Sequence, residues 1–384
     1  MNPLKSDFTI GFLGAGQLAR MSALQAFNFG MQIAVFSDRE ETEPTELLTP
    51  YSYKGSFDDH KSMLDFAKKC DLITLENEFI DSKVLKELRD RSGVPIYPTP
   101  ESFALIENKL IEKETFEKAG IPVTPYAAVE NRDQLQQFGN KHGWPILLKS
   151  SKGGYDGYGN ETASDLNEAE SAFKKLGGQS GHEIIAEAFI DFRCELAVQV
   201  ARNETGYVVY PVCETVQENH ICIAVKTPAQ VEPKIQDQAQ KLAVQAAEAI
   251  GGKGIFAFEF FLSNDGKLLL NESAPRPHNS GHYSIEGSVT SQFENHIRAV
   301  CGLPLGSTVL VKPAVVMINL LGTDKRNTVF EKCEKAISLP NGHLHSYGKL
   351  QSKPGRKMGH YTLLGDDMAD IYKKALEVTK SITI

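Results

Sequence analysis

Lys149 is followed at once by Ser-Ser-Lys-Gly-Gly-Tyr-Asp-Gly-Tyr-Gly, which sets Gly153, Gly154, Gly157 and Gly159 just downstream of one cation. Glycine N–H groups reach phosphate oxygens without a Cβ in the way, and a lysine ammonium supplies the matching charge. The spacing GxxxxGK[ST] of a Walker A loop is absent; the order here is apolar strand, lysine, glycine loop. Further on, Glu259 lies in the apolar run 255–261 and Asn271-Glu272 closes the run 268–271. The intervening Ser-Asn-Asp-Gly predicts a hairpin that sets these groups side by side. Two glutamates and an asparagine suit magnesium, with manganese as an alternative, bridging the phosphates of a nucleotide.

A second glycine motif, Gly14-Ala15-Gly16-Gln17-Leu18-Ala19, follows the apolar run 8–13, and Asp38 follows the run 32–37. That pattern matches a dinucleotide fingerprint and keeps an NAD-dependent dehydrogenase open as a rival. The same glycines also serve any tight strand-to-helix turn, and a free helix N-terminus can hold a phosphate or lie against a substrate. Glu187-Ala188-Phe189-Ile190 has the character of a hinge whose backbone could bond an adenine edge, and Glu195 is placed to accept ribose hydroxyls. Lys349, Lys353, Arg356 and Lys357 form a basic cluster suited to a ribose 5-phosphate. His278 and His282 are separated by Asn-Ser-Gly and flanked by prolines, which argues against a ligand-bearing helix, and no acid completes a triad with Ser280.

These groups must be carried by a scaffold. Strand-like runs at 8–13, 32–37, 72–75 and 95–97 alternate with helical stretches at 17–29, 62–69 and 82–90, which implies parallel βαβ units. A helix is predicted over 102–118, with Ser102 as N-cap and Gly120 beyond its end. A strand at 146–149, a helix at 166–176 and a strand at 184–187 make a small α+β unit. An alternating strand follows at 195–202, then an alanine-rich helix at 234–250, a strand at 315–319, a strand at 360–364 and a closing helix from 368 to about 380. The fold class is thus α/β and α+β multidomain. The expected boundaries are residues 1–100 for a Rossmann-like domain, 101–305 for a central domain and 306–384 for a small C-terminal domain. Within the centre, 101–122 is a linking helix and 123–190 a small lid.

The formal net charge of −8 argues against a general nucleic-acid binder. The six cysteines form no CxxC pair, as expected of free thiols in a reducing cytoplasm. The first residues lack the apolar segment of a signal peptide, and the most apolar stretch, 314–321, is too short to span a bilayer.

Taken together, GFLGAGQLARM, TLENE, GGYDGYG, EAFIDFRCEL, YPVCETVQENH, GIFAFEFFL, NESAPRPHNSGHY, TSQFENH and KPGRKMGHY resemble the ATP-grasp superfamily, and within it the N5-carboxyaminoimidazole ribonucleotide synthetases. The resemblance spans essentially the whole chain. It implies a pre-ATP-grasp domain, an ATP-grasp domain and a C-terminal domain, often in a homodimer. It also implies carboxylation of 5-aminoimidazole ribonucleotide with ATP and bicarbonate by way of carboxyphosphate. By the same resemblance, ATP would be bound by Lys109, Lys149, the loop Gly153, Gly154, Tyr155, Asp156, Gly157, Tyr158 and Gly159, the hinge Glu187, Ala188, Phe189 and Ile190, and Glu195, His220, Asn271 and Glu272. Glu259 and Glu272 would hold the metal. Gln17, Glu76, Tyr155, His278, Asn279, Ser280, Lys349 and Arg356 would line the ribonucleotide site. Lys149 would act in catalysis, and Glu76 or His278 would handle the proton of the amine. A formate-dependent glycinamide ribonucleotide transformylase shares this layout and is the nearer rival. Two departures stand out: Tyr158 replaces the usual Lys or Arg, leaving Lys152 as the substitute charge, and Ala19 replaces a commoner glycine.

Overall fold

The computed structural model describes residues 2–153 and 159–384. The strands Thr9–Leu13, Gln32–Ser37, Tyr51–Lys54, Leu72–Leu75 and Ile96–Tyr97 form one parallel sheet, with Thr9–Leu13 and Leu72–Leu75 adjacent at its centre. Thr9–Leu13 is buried along its whole length, as expected of a parallel strand covered on both faces. Tyr51–Lys54 was not foreseen: its side chains alternate half-buried and exposed at the sheet edge, so it lacks the apolar run that marked its neighbours.

A second, four-stranded sheet runs in the order Tyr126–Val129, Ile184–Ala188, Ile146–Ser150, Asn160–Ala163. The helices Arg132–His142 and Leu166–Lys175 bury Leu135, Phe138, Ala169 and Phe173 against it. The largest sheet has nine strands. It begins with the hairpin Leu268–Ala274 and Gly254–Ser263 and passes through Phe192–Asn203, Cys213–Glu218 and Ile221–Thr227. It then continues without a break into Ala314–Leu321, Lys357–Gly365 and Gly342–Ser346. The helix Pro233–Ile250 opens on proline, ends before Gly251 in a left-handed conformation (φ 72°), and packs Leu242, Ala243, Ala246 and Ile250 onto Val198, Val200 and Phe256.

The helix predicted over 102–118 is instead two. Pro100–Phe103 is capped by Thr99, whose hydroxyl accepts from the Ser102 N–H, and Lys109–Lys118 is capped by Asn108, which accepts from the N–H groups of Leu110 and Ile111. The break follows from Asn108, a far better N-cap than a helix interior residue. It places Lys109 in a first turn, with its N–H on the Ser151 carbonyl at 2.8 Å. The second helix of the parallel unit begins at His60 rather than Ser62, because the Asp59 carboxylate caps it.

One helix, Gln292–Val300, joins the two large sheets. Ile297 and Val300 pack with Phe8, Ile10 and Phe12, while His296 bridges Thr74 of one sheet and the Ile255 N–H of the other.

Candidate active site

The hairpin sets Glu259 directly opposite Glu272 in the antiparallel register, with a bulge immediately after Glu259. Like charges facing each other across a ladder repel, so the pair needs a cation. Lys109 supplies one: its Nζ lies 3.2 Å from Glu272 Oε2. The Glu272 carboxyl is held down to about 2, chiefly by the Lys109 ammonium working against burial. Burial opposes the charge on Lys109, but Glu272 and Glu112 overcome it and push its pKa above the ordinary lysine range. Among the described residues no third His, Cys, Asp or Glu completes a closed metal cage. Two hard carboxylates at the wall of an open cleft fit magnesium that draws its other ligands from phosphates and water.

Beneath them lies a buried charge network. Lys149 Nζ is 3.1 Å from Glu187 Oε2 and 3.5 Å from Asn271 Oδ1. Lys113 Nζ donates to Thr124 Oγ1 (2.6 Å) and the Asn271 carbonyl (2.9 Å), and approaches Glu187 Oε2 to 3.5 Å. The side chain of Glu187 is therefore turned inward as the partner of these lysines, which leaves the backbone of the hinge for a base, as the sequence led one to expect. Phe189 beside it is exposed.

At the other wall, the loop 14–16 meets the end of strand Leu72–Leu75, where an open parallel sheet forms its crevice. Glu76 Oε1 accepts from the Leu18 N–H at 3.2 Å and sits on the N-terminus of helix Gln17–Asn28. A Cβ on Gly14 or Gly16 would run into this carboxylate. The glycines of the dinucleotide-like motif thus admit an acid of the same chain, and the anion site they make is taken. Burial raises the Glu76 pKa, with Glu43 adding to the effect and the N–H groups of Gly16 and Leu18 opposing it.

One cleft of about 1200 Å³ is lined by Gln17, Glu76, Lys109, Gly153, Glu259 and Glu272, and by His278, Asn279, Lys349, Lys353, Arg356 and Lys357. Lys349 Nζ donates to the Lys357 carbonyl and Arg356 Nη1 to the Gln351 carbonyl, which shapes the basic loop. His278 is held neutral, its pKa lowered to about 4 by burial and by the nearby Arg276 and Lys357. Its Nδ1 faces the Ser280 hydroxyl at 2.8 Å and accepts from the Ser280 N–H at 3.4 Å. Ser280, expected to touch the ribonucleotide, is instead buried between Gln199 and His278. Asn279 bonds Asn319 of the strand Ala314–Leu321 in both directions.

The remaining expected residues are placed as follows. His220 lies exposed at the tip of the turn after Cys213–Glu218, with φ 64°. Glu195, on the strand Phe192–Asn203, accepts from Gln217 and Thr215; burial raises its pKa, and Glu272 is near enough for its charge to add to that. Lys152, the proposed substitute for a loop cation, is engaged by Glu107 (3.0 Å) and Asp81 (3.3 Å). Gly154, Tyr155, Asp156, Gly157 and Tyr158 lie outside the described residues. The structure adds Lys113, Thr124 and the ion pair of Glu78 with Arg276, whose Nη2 donates to Glu78 Oε1 at 2.7 Å. Arg276 sits within NESAPRPHNSGHY and Glu78 closes TLENE, so both were inside motifs already singled out.

Comparison with known proteins identifies the family. Family models match as a ribonucleotide synthetase preATP-grasp domain over residues 8–107, an ATP-grasp domain over 114–293, and a phosphoribosylaminoimidazole carboxylase C-terminal domain over 315–374. The chain is 39% identical over 373 residues to phosphoribosylaminoimidazole carboxylase of Ogataea methanolica, covering 95% of this chain and 68% of that protein. It covers 65% of the Schizosaccharomyces pombe carboxylase, so it spans about two thirds of these fungal relatives. It is 39% identical over 356 residues to N5-carboxyaminoimidazole ribonucleotide synthase of Bacillus subtilis, covering 92% of this chain and 91% of that one. Among solved structures, the synthetase of Thermotoga maritima superposes with a TM-score of 0.87 at 37% identity, covering 98% of this chain and 99% of that one. The Aspergillus clavatus enzyme, in complex with ADP and 5-aminoimidazole ribonucleotide, gives 0.86 at 32%, covering 98% and 100%. The chain belongs to the N5-carboxyaminoimidazole ribonucleotide synthetase family of ATP-grasp ligases.

Proposed function

We propose that this chain carries out its family's ATP- and bicarbonate-dependent carboxylation of 5-aminoimidazole ribonucleotide with the residues assembled along the cleft. The observation that carries this is the facing pair Glu259 and Glu272 at one wall of a cleft whose other wall holds Glu76 and the basic loop. Lys149 and Lys109 bind the triphosphate with the loop at Gly153 and Gly159, and Lys349 and Arg356 bind the ribose 5-phosphate. Glu259 and Glu272 hold magnesium, which when bound neutralises charge on the phosphates.

A bicarbonate oxygen attacks the γ-phosphorus, the bond to the β,γ-bridging oxygen breaks, and ADP departs, leaving carboxyphosphate. The exocyclic amine of the ribonucleotide then bonds to the carboxyl carbon, directly or after loss of CO₂ within the closed site, and phosphate leaves with the C–O electron pair. Positioning and charge placement do most of this work. His278, held neutral by burial, keeps Nδ1 at the Ser280 hydroxyl and 3.6 Å from Glu259 Oε1, and stands at the cleft as a neutral hydrogen-bonding group. Glu76, with its raised pKa, is the better acceptor for the amine proton. Six free cysteines accord with a cytoplasmic setting, and a homodimer is the proposed assembly, which sedimentation would check.

The deciding measurement is ADP release with 5-aminoimidazole ribonucleotide, with and without added bicarbonate. Bicarbonate dependence is expected. Release driven by formate with glycinamide ribonucleotide would favour the transformylase reading instead.

A further inference from the structure

Lys113 and Lys149 share one buried carboxylate, and they hold it unequally. Glu187 Oε2 receives Lys149 at 3.1 Å, Thr124 Oγ1 at 3.1 Å and Lys113 at 3.5 Å. Its other oxygen, Oε1, is buried without a hydrogen-bond partner among the described residues. Lys113 is additionally anchored by Thr124 and by the Asn271 carbonyl, a main-chain group fixed in the hairpin. Among the described residues, the second contact of Lys149 is a long one, to Asn271 Oδ1, and Lys149 lies on the strand that leads into the glycine loop.

We propose that Lys113 is a positioning residue: it is the fixed counterion of Glu187, so that Lys149 can leave Glu187 for a nucleotide phosphate without stranding a buried charge. The inference rests on the ATP-ligase reading above. An unpaired buried carboxylate is strongly disfavoured, whereas one that keeps a hydrogen-bonded ammonium is not. Among the described residues, the charges acting on Glu187 are Lys113 and Lys109, from the helix Lys109–Lys118, and Lys149, from its own sheet; Glu112, on the same helix, acts on Lys113 and accepts from Ser273. Glu272, from the hairpin, is engaged with Lys109, and Tyr126, opposite Glu187 in register, sends its hydroxyl to Glu117. Burial would raise the Glu187 pKa; Lys113 first and Lys149 second reverse that. Without Lys113, the departure of Lys149 must be matched by a proton arriving on Glu187.

The test is ATP binding by calorimetry at pH 7 and 8, in buffers of differing ionisation enthalpy, for wild type and Lys113→Met. The variant should take up close to one more proton than wild type on binding ATP, and its affinity should fall about tenfold per unit rise in pH. Equal proton uptake in the two proteins would overturn the inference. Failure of the wild type to bind ATP would instead remove the ligase reading. Should Lys113→Met not fold, a Glu187→Gln background decides. With the carboxylate neutral, adding Lys113→Met should leave ATP affinity within about twofold, because the lysine acts through Glu187. A further loss of about tenfold there would mean that Lys113 acts on the nucleotide itself, against the proposal.

Discussion

Replacing Glu272 by glutamine changes one atom and one charge, and its consequences for turnover and for folding should separate widely. Glu272 is one of two carboxylates available to the metal, and loss of one such preorganised electrostatic contact costs roughly 10²–10³-fold in turnover. Its worth to the fold is smaller. A unit-charge pair near 4 Å attracts by about 4 kcal/mol at an effective dielectric of about 20. The Glu272 side chain is 40% exposed, however, and solvent brings such a pair toward about 1 kcal/mol. Relief of the repulsion from Glu259 offsets part of that loss. Turnover should therefore fall at least about 100-fold while the melting midpoint moves by no more than about 3 °C. The sign with pH also follows. Because the folded-state pKa is depressed to about 2 from 4.5, the stabilisation is fully present above pH 4.5 and is lost as pH falls toward 2. The assay is ADP release at saturating ATP, ribonucleotide and bicarbonate over a magnesium titration, beside thermal melts. Near-normal release with an unchanged magnesium requirement would refute the assignment.

Three further outcomes are expected. Arg356→Ala should raise the KM for the ribonucleotide by about 10–100-fold, the worth of charge-assisted hydrogen bonds, and leave the KM for ATP nearly unchanged; equal effects on both would count against a phosphate role. Gly16→Ala should push Glu76 aside and lower kcat/KM for the ribonucleotide by about 100-fold, as a displacement near 1 Å does, while ATP binding persists. Folding stability should decline in mild acid. Burial holds His278 and His296 neutral, with pKa values near 4 and 3, and pushes His282 and His360 well below 6.5. The unfolded chain binds more protons as pH falls below 6.5, so the urea midpoint should drop steadily toward pH 4; His296→Gln should flatten that slope, and a constant midpoint from pH 7.5 to 5 would contradict it.

What could be read from the residues was local and periodic. The hairpin around Glu259 and Glu272 was legible because two apolar runs flanked a turn of fixed length, and the parallel sheet because its central strands are apolar throughout. The break at Asn108 was missed because apolar residues continue on both sides and only the capping side chain marks it. The inward turn of Glu187 could not be seen, since Lys113 and Lys149 lie 74 and 38 residues away from it. Nor could the pairing of Glu78 with Arg276, 198 residues apart, or the burial of Ser280 under Gln199. Each is a charge or hydroxyl whose partner is brought near only by tertiary folding. The dinucleotide-like motif stayed open to two readings for a related reason: its glycines answer to close approach, and the sequence does not say that the approaching group is Glu76.

The nine-stranded sheet carries a mechanical implication. Because Ile221–Thr227 is hydrogen-bonded to Ala314–Leu321, the strand leading to the basic loop and the hairpin bearing Glu259 and Glu272 belong to one girder. Any hinge that opens the cleft must lie elsewhere, toward the four-stranded unit or the parallel sheet. Cutting the chain after residue 305 would bare two long apolar edges where that ladder now runs, and the two halves would sooner clump or re-pair with each other than stand alone.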